Sequence, residues 1–135
     1  MRPKSPFTTE ILVDAADIDN LGHVNNVIYL RYVQDVATAH WNQVAPQELK
    51  QQCSWVVLRH EIDYVSPALM GDVLIASTWV GKTEGVRSIR FVELKNKKTG
   101  RLIAKACTDW CMLDSITLKP KRINENIISL LQVHE

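Results

Sequence analysis

The sequence predicts an α+β fold, a curved antiparallel five-stranded sheet wrapped around one long helix, with a short C-terminal helix. Two observations carry this expectation. A largely apolar helical pattern runs from about Val24 to Val44 with one narrow polar stripe, and such a helix is buried over most of its circumference. Almost everything after it alternates like strand and is cut by short turn signals, so successive strands are expected to be antiparallel neighbours. At 135 residues the chain has the length of a single domain with one core. That domain is expected to span residues 1–135, with its core at about 7–114 and a tail at 115–135.

The elements follow in order. Residues 1–6, with Pro3 and Pro6, form a lead-in, and Phe7 to Asp14 reads as the first strand. A loop through Asp17–Gly22 leads into the helix. Arg31, Gln34, Asp35, Thr38 and Asn42 fall on one stripe at helical spacing, while Val27, Ile28, Tyr29, Leu30, Tyr32, Val33, Val36, Ala37, Ala39 and Trp41 fill the rest. Pro46 ends the helix and a short helical turn follows through Leu49. Val56, Leu58, His60, Ile62 and Tyr64 then alternate with more polar residues, giving one apolar strand face. Ser66-Pro67 breaks that strand and Gly71-Asp72 turns it. Val73–Val80, Val86–Lys95 and Arg101–Asp114 read as further strands, separated by Gly81 and Gly85 and by Lys98-Thr99-Gly100. Asn124 is placed to cap a short helix through Leu131. A single sheet around a single helix leaves strand edges open, and pairing with a second copy closes them.

Composition narrows the function classes. Sixteen Lys and Arg stand against 15 Asp and Glu, a net charge of +1, which gives no electrostatic footprint for nucleic acid. The one basic cluster, Lys95, Lys97, Lys98 and Arg101, surrounds a turn and reads first as a solvated hairpin. No apolar run has the length of a membrane span, and the N-terminus lacks a signal-peptide core, so membrane insertion is not expected and the chain reads as cytoplasmic. Cys53, Cys107 and Cys111 fit free thiols. His23, His40, His60 and His134 show no metal-ligand spacing, and no metal or organic cofactor is expected.

The segment Asp17 to Asn26, Asp-Ile-Asp-Asn-Leu-Gly-His-Val-Asn-Asn, carries the chemistry. It places carboxylates and a glycine turn directly before a helix N-terminus. Unsatisfied amides and the positive end of the helix dipole favour negative charge developing there. A carboxylate beside such a site suits acyl transfer or hydrolysis at a carbonyl. The competing reading is that these aspartates only cap turns.

Asp19-Asn20-Leu21-Gly22-His23-Val24-Asn25-Asn26, followed by Tyr29 and Tyr32, resembles the signature of hotdog-fold thioesterases. The similarity is to the 4-hydroxybenzoyl-CoA thioesterase-like branch, which also resembles acyl-ACP thioesterases. Arg59-His60-Glu61-Ile62-Asp63-Tyr64, Ser66-Pro67-Ala68, Gly71-Asp72 and Arg87-Ser88 agree with it. The resemblance implies hydrolysis of acyl-CoA or acyl-ACP thioesters by a homodimer or homotetramer whose site lies between protomers. It implies Asp19, three residues before Gly22, as nucleophile or general base. It also implies a backbone amide at the helix start as the oxyanion donor, and counting from Asp19 and Gly22 assigns that amide to Asn26.

The other candidates carry two readings each. His23 is an accessory that contacts substrate or orients Asp19, or a loop hydrogen bond. Asp17 shares the loop and reads first as structural, hydrogen-bonding loop amides, with the functional carboxylate as its alternative because two nearby carboxylates can raise one pKa. Gly22 serves a backbone conformation that other residues resist, and Asn25 caps the helix. Tyr29 is core or acyl-pocket lining, and His60 is a buried, hydrogen-bonded histidine or a substrate contact. Arg87, Ser88 and Arg90 meet coenzyme phosphates or form a solvated strand edge. A noncatalytic acyl-CoA-binding module is the rival from another class, and a dehydratase would need a His–acid pair in a different motif.

Overall fold

The computed structural model describes residues 2–132. Met1 and residues 133–135, including His134, lie outside the described residues. Strand β1 (Phe7–Leu12) leads through a 3-10 turn (Ala15–Asp17) to helix α1 (Asn26–Val44). Helix α2 (Gln47–Gln52) and strand β2 (Cys53–Tyr64) follow. Strands β3 (Val73–Glu84), β4 (Arg87–Asn96) and β5 (Leu102–Asp114) complete the sheet before helix α3 (Glu125–Leu131). The sheet has five strands in the order β1-β3-β4-β5-β2, and every pairing is antiparallel. This is the expected α+β arrangement, and Asn124 caps α3 by accepting the Ile127 N–H at 2.9 Å.

One expected hairpin is instead a crossover. β3, β4 and β5 form a meander, but β2 pairs with β5 and not with β3. The link between Tyr64 and Val73 therefore carries the chain from one side of the sheet to the other. It crosses the start of α1, where the Val24 N–H donates to Ala68 O at 2.9 Å and the Ala68 N–H donates to the Tyr29 hydroxyl at 3.0 Å. Ser66-Pro67 and Gly71-Asp72 look like turn residues in sequence, but their partners are remote.

Smaller departures have local causes. β1 stops at Leu12 because Asp14 begins the next element, accepting the Ala16 N–H with its side chain and pairing with Asp17 in a capping box. α1 starts at Asn26, two residues later than the pattern suggests, because Val24 is extended and bridges Ile18. β3 runs on through Gly81, which sits at a register shift. A Cβ there would come within 2.6 Å of the Phe91 ring, so the close approach requires glycine. A bulge between Val57 and Arg59 breaks the alternation in β2. His60, Ile62 and Tyr64 therefore share a face with Trp55 and Val57 and not with Val56 and Leu58.

The core lies between α1 and the inner face of the sheet. Tyr29, Tyr32, Val33 and Val36 pack with Leu74, Ala76, Val92, Leu94 and Ile103. Burying a side chain such as Leu74 or Leu94 contributes about 1.5–3 kcal/mol each. A second cluster joins Trp41, Cys53 and Met112 to Ile123, Ile127 and Leu131, so α3 closes the far end. Within this chain α1 is covered on one side only. Val27 is 70% exposed, and Ile28 and Leu30 are half-buried. The circumferential burial expected from the sequence is not reached by the single chain.

Candidate active site

The loop before α1 is built by its own polar side chains. Gly22 adopts φ +80°, a left-handed conformation that glycine enters without steric cost. That turn brings the His23 carbonyl back to the Asp19 N–H at 2.8 Å. Oδ1 of Asp19 in turn accepts the Leu21 N–H at 2.8 Å and the His23 N–H at 3.3 Å. Asp19 is exposed, and Oδ2 has no hydrogen-bond partner among the described residues. The turn-capping role and an available carboxylate oxygen thus coexist in one side chain.

The second aspartate is spent on structure. Asp17 is 4% exposed, and its carboxylate accepts the Tyr32 hydroxyl at 2.6 Å, the Arg31 guanidinium at 2.9 Å and the Asp14 N–H at 3.3 Å. Burial by itself pushes the Asp17 carboxyl up, but these three donors outweigh it and hold it below the ordinary value. Burial and the adjacent Asp17 carboxylate raise the Tyr32 hydroxyl well above its usual range, so it stays a donor. Asp17 O also accepts the Asn25 N–H at 2.9 Å, tying the loop to the residue that starts the helix.

The helix start leaves one amide open. Asn25 is the N-cap, and its side chain accepts the Val27 N–H at 3.0 Å. Ile28 N–H bonds to Asn25 O at 2.8 Å. The Asn26 N–H, at the first helical position, carries no hydrogen bond among the described residues. It sits where the helix dipole is most positive.

Asp19, His23, Asn25, Asn26 and Tyr29 line one cleft of about 430 Å³. Its opposite wall is Tyr64 and the start of the crossover, Val65 to Pro67. The Tyr29 hydroxyl is tied to Ala68, and the Tyr64 hydroxyl donates to Asn26 O at 3.4 Å. Tyr64 and Val65–Pro67 are wall residues not singled out from the sequence as site residues. Tyr64 and Ser66-Pro67 fall within segments that agree with the family resemblance, but in sequence they read equally well as a strand end and a plain strand break.

The remaining candidates lie elsewhere in this chain. His60 bridges α1 and the sheet, its ring nitrogens 3.2 Å from Gln34 Nε2 and 2.8 Å from Thr108 Oγ1. Burial lowers its pKa. Arg87 lies along Asp109 in a salt bridge, with Nε 3.3 Å from one carboxylate oxygen. Ser88 is buried on the other side of β4 and bonded to Thr83 at 2.8 Å. Adjacent strand residues point to opposite faces, so Arg87 and Ser88 do not form one phosphate site. Arg90 is buried beside His40, not on a solvated edge. In the basic hairpin, Lys97 pairs with Glu10 at 2.7 Å. Among the described residues no three His, Cys, Asp or Glu gather to hold a metal ion, and no helix is long and apolar enough to cross a membrane.

Comparison with known proteins places this chain in a family. A profile of the thioesterase-like superfamily matches residues 13–131. Over 116 residues the chain is 25% identical to the long-chain acyl-CoA thioesterase FadM of Escherichia coli strain K12, covering 82% of this chain and 86% of that protein. It is 27% identical over 82 residues to a chloroplastic palmitoyl-acyl carrier protein thioesterase of Gossypium hirsutum. That match takes in 61% of this chain but only 20% of the plant protein's length. The structure superposes on Slr0204, a 1,4-dihydroxy-2-naphthoyl-CoA thioesterase from Synechocystis, with a TM-score of 0.81 at 19% identity, covering 94% and 96% of the two chains. At that identity the likeness establishes the hotdog fold. With the profile spanning almost all of the described residues, the chain belongs to the thioesterase-like superfamily of hotdog-fold thioester hydrolases.

Proposed function

We propose that this protein hydrolyses acyl-CoA thioesters to the free acid and coenzyme A. The observation that carries this reading is the shared cleft of the Asp19 carboxylate and the unpaired Asn26 N–H at the start of α1. The thioester carbonyl oxygen accepts the Asn26 N–H, and the helix dipole stabilises the charge that develops on it. Asp19 removes a proton from water as the oxygen adds to the carbonyl carbon, or adds to that carbon itself. The C–S bond then breaks and the departing sulfur is protonated. In the nucleophile route, water subsequently hydrolyses the acyl-aspartyl anhydride. His23 lines the same cleft and holds Asp19 through its backbone, so its role is accessory. The chemistry requires water and no metal.

The reading includes assembly. β2 is an edge strand carrying the exposed side chains Val56 and Leu58, and α1 leaves Val27 uncovered. A second copy covers such surfaces and closes the sheet edge.

The test is a panel of acyl-CoA and acyl-ACP thioesters assayed by release of free thiol, with wild type and Asp19→Asn. Asparagine keeps an Oδ1 acceptor for Leu21 and His23 but is a far poorer base or nucleophile. Turnover should fall on the order of a hundredfold or more while folding is unchanged. Substantial turnover in the variant would remove Asp19 from the reaction. Binding of acyl-CoA with no hydrolysis by wild type would favour a noncatalytic module, and a strict requirement for the acyl-ACP panel would move the substrate to the carrier protein.

A further inference from the structure

A second cavity lies at the other end of α1, about 22 Å along the helix from Asn26 at 1.5 Å per residue. It encloses about 310 Å³ between the C-terminal half of α1, the beginning of β2, β4, β5 and the end of α3. Its walls include the indoles of Trp41, Trp55 and Trp110. Its polar lining is unbalanced. Arg90 and Lys50 face it, and no Asp or Glu is among the lining residues.

Arg90 is the unusual group. It is 6% exposed and forms no salt bridge among the described residues. Nη1 alone is engaged, donating to His40 Nδ1 at 3.0 Å and Thr78 Oγ1 at 3.1 Å. Nε and Nη2 have no acceptor among the described residues. His40 cannot neutralise it, since burial and the neighbouring guanidinium hold that imidazole neutral, with its pKa lowered to about 4. The indole N–H groups of Trp55 and Trp110 are also buried without an acceptor. Buried donors ordinarily find partners. Here the guanidinium lines an aromatic-walled space that supplies no carboxylate, whereas the two indole N–H groups are closed off from it.

We propose that this cavity binds a hydrophobic carboxylate, an aromatic or short aliphatic acid whose anionic end meets Arg90 and whose body lies among Trp41, Trp55 and Trp110. A carboxylate supplies two acceptor oxygens in the plane that a guanidinium fork matches, and it restores the missing counter-charge. The cavity volume is at the small end for ligand pockets, which suits an acid of benzoate or hexanoate size. The acid has two sources, a free molecule or the far end of an acyl chain whose thioester occupies the Asp19 cleft of this or another protomer. The binding claim stands without the hydrolysis reading, and only the second source rests on it.

Three of the chain's four tryptophans line the cavity, so intrinsic fluorescence reads occupancy directly. Benzoate and hexanoate are titrated into the full chain at neutral pH, against benzamide and hexanamide. Saturable binding of the acids, at least tenfold tighter than the amides, is expected. Arg90→Gln should weaken acid binding at least tenfold. Should that variant not fold, Arg90→Lys, which keeps the charge and loses the planar fork, should weaken it several-fold. Absence of saturable binding, equal binding of acid and amide, or wild-type binding by a folded Arg90→Gln or by Arg90→Lys would overturn the proposal. The source is read from hydrolysis of acyl-CoA chains of equal length ending in carboxylate or methyl. A distal carboxylate predicts that Arg90→Gln reduces the preference for the acidic chain at least tenfold; a free ligand predicts benzoate binding with no such preference. Loss of all hydrolysis would sink the thioesterase reading and leave the fluorescence result to decide this one.

Discussion

The Tyr32 hydroxyl donates a 2.6 Å hydrogen bond to Oδ2 of Asp17, joining the inner face of α1 to the loop that carries the candidate carboxylate. With Arg31 on Oδ1, this contact turns one of two neighbouring aspartates into an anchor and leaves the other available.

The anchor should affect stability before chemistry. Tyr32→Phe leaves a buried carboxylate short of a donor and should cost roughly 1–3 kcal/mol, read as a lower urea midpoint. Asp17→Asn should destabilise similarly, yet turnover per folded molecule should stay within several-fold of wild type. Asp17 holds its stabilisation above the ordinary Asp pKa of 3.8 and loses it as pH falls through its lower folded value. If Asp17→Asn abolished turnover in a stably folded protein while Asp19→Asn did not, the two roles would be exchanged.

Asn26→Pro tests the oxyanion donor. The position is the first of the helix, where proline is tolerated, and Asn25 at φ −62°, ψ 136° already has the extended conformation required before proline. The variant should fold with its Asn25 cap intact and lose on the order of a hundredfold in turnover. Wild-type activity should also survive exhaustive chelation. Full activity in Asn26→Pro would place carbonyl polarisation elsewhere, and recovery of a chelated enzyme by one specific ion would replace the metal-free scheme.

His40 should make stability fall with acid. Its folded pKa is lowered to about 4 from 6.5, first by burial and then by Arg90. Between those values the unfolded chain takes up a proton that the folded chain does not. The contribution is therefore complete above pH 6.5 and disappears progressively toward pH 4, a loss on the order of 3 kcal/mol. Urea unfolding of wild type and His40→Gln across this range should show a shallower pH slope in the variant. Parallel slopes would mean that His40 takes up its proton alike in the folded and unfolded chains.

Light scattering at micromolar concentration should show at least a dimer. Charging the exposed β2 edge with Leu58→Lys, at a side chain 51% exposed in the single chain, should weaken that assembly with little effect on the fold. A fully active wild-type monomer would remove both the assembly and any site shared between protomers.

Much of this molecule was legible because it depends on short-range patterns. The narrow stripe of Arg31, Gln34, Asp35, Thr38 and Asn42 marks a helix whatever surrounds it, and all of these are exposed in the structure. Gly22 and Asn25 act within a few residues of their own positions, as a left-handed turn and an N-cap. The pairing of Asp19 with the helix start is likewise a matter of spacing along the chain.

What the tertiary structure decided was which distant segments meet. Alternation in Val56–Tyr64 cannot reveal a bulge at Leu58, because the partner strand β5 sets the register. Ser66-Pro67 and Gly71-Asp72 look the same in a hairpin and in a crossover. Only sheet order puts Tyr64 and Val65–Pro67 opposite Asp19. The three indoles and Arg90 come from separate elements, and nothing local to any of them signals that no acid accompanies the guanidinium. Local backbone chemistry is written in consecutive residues, whereas the counter-charges and walls of a cavity depend on long-range packing.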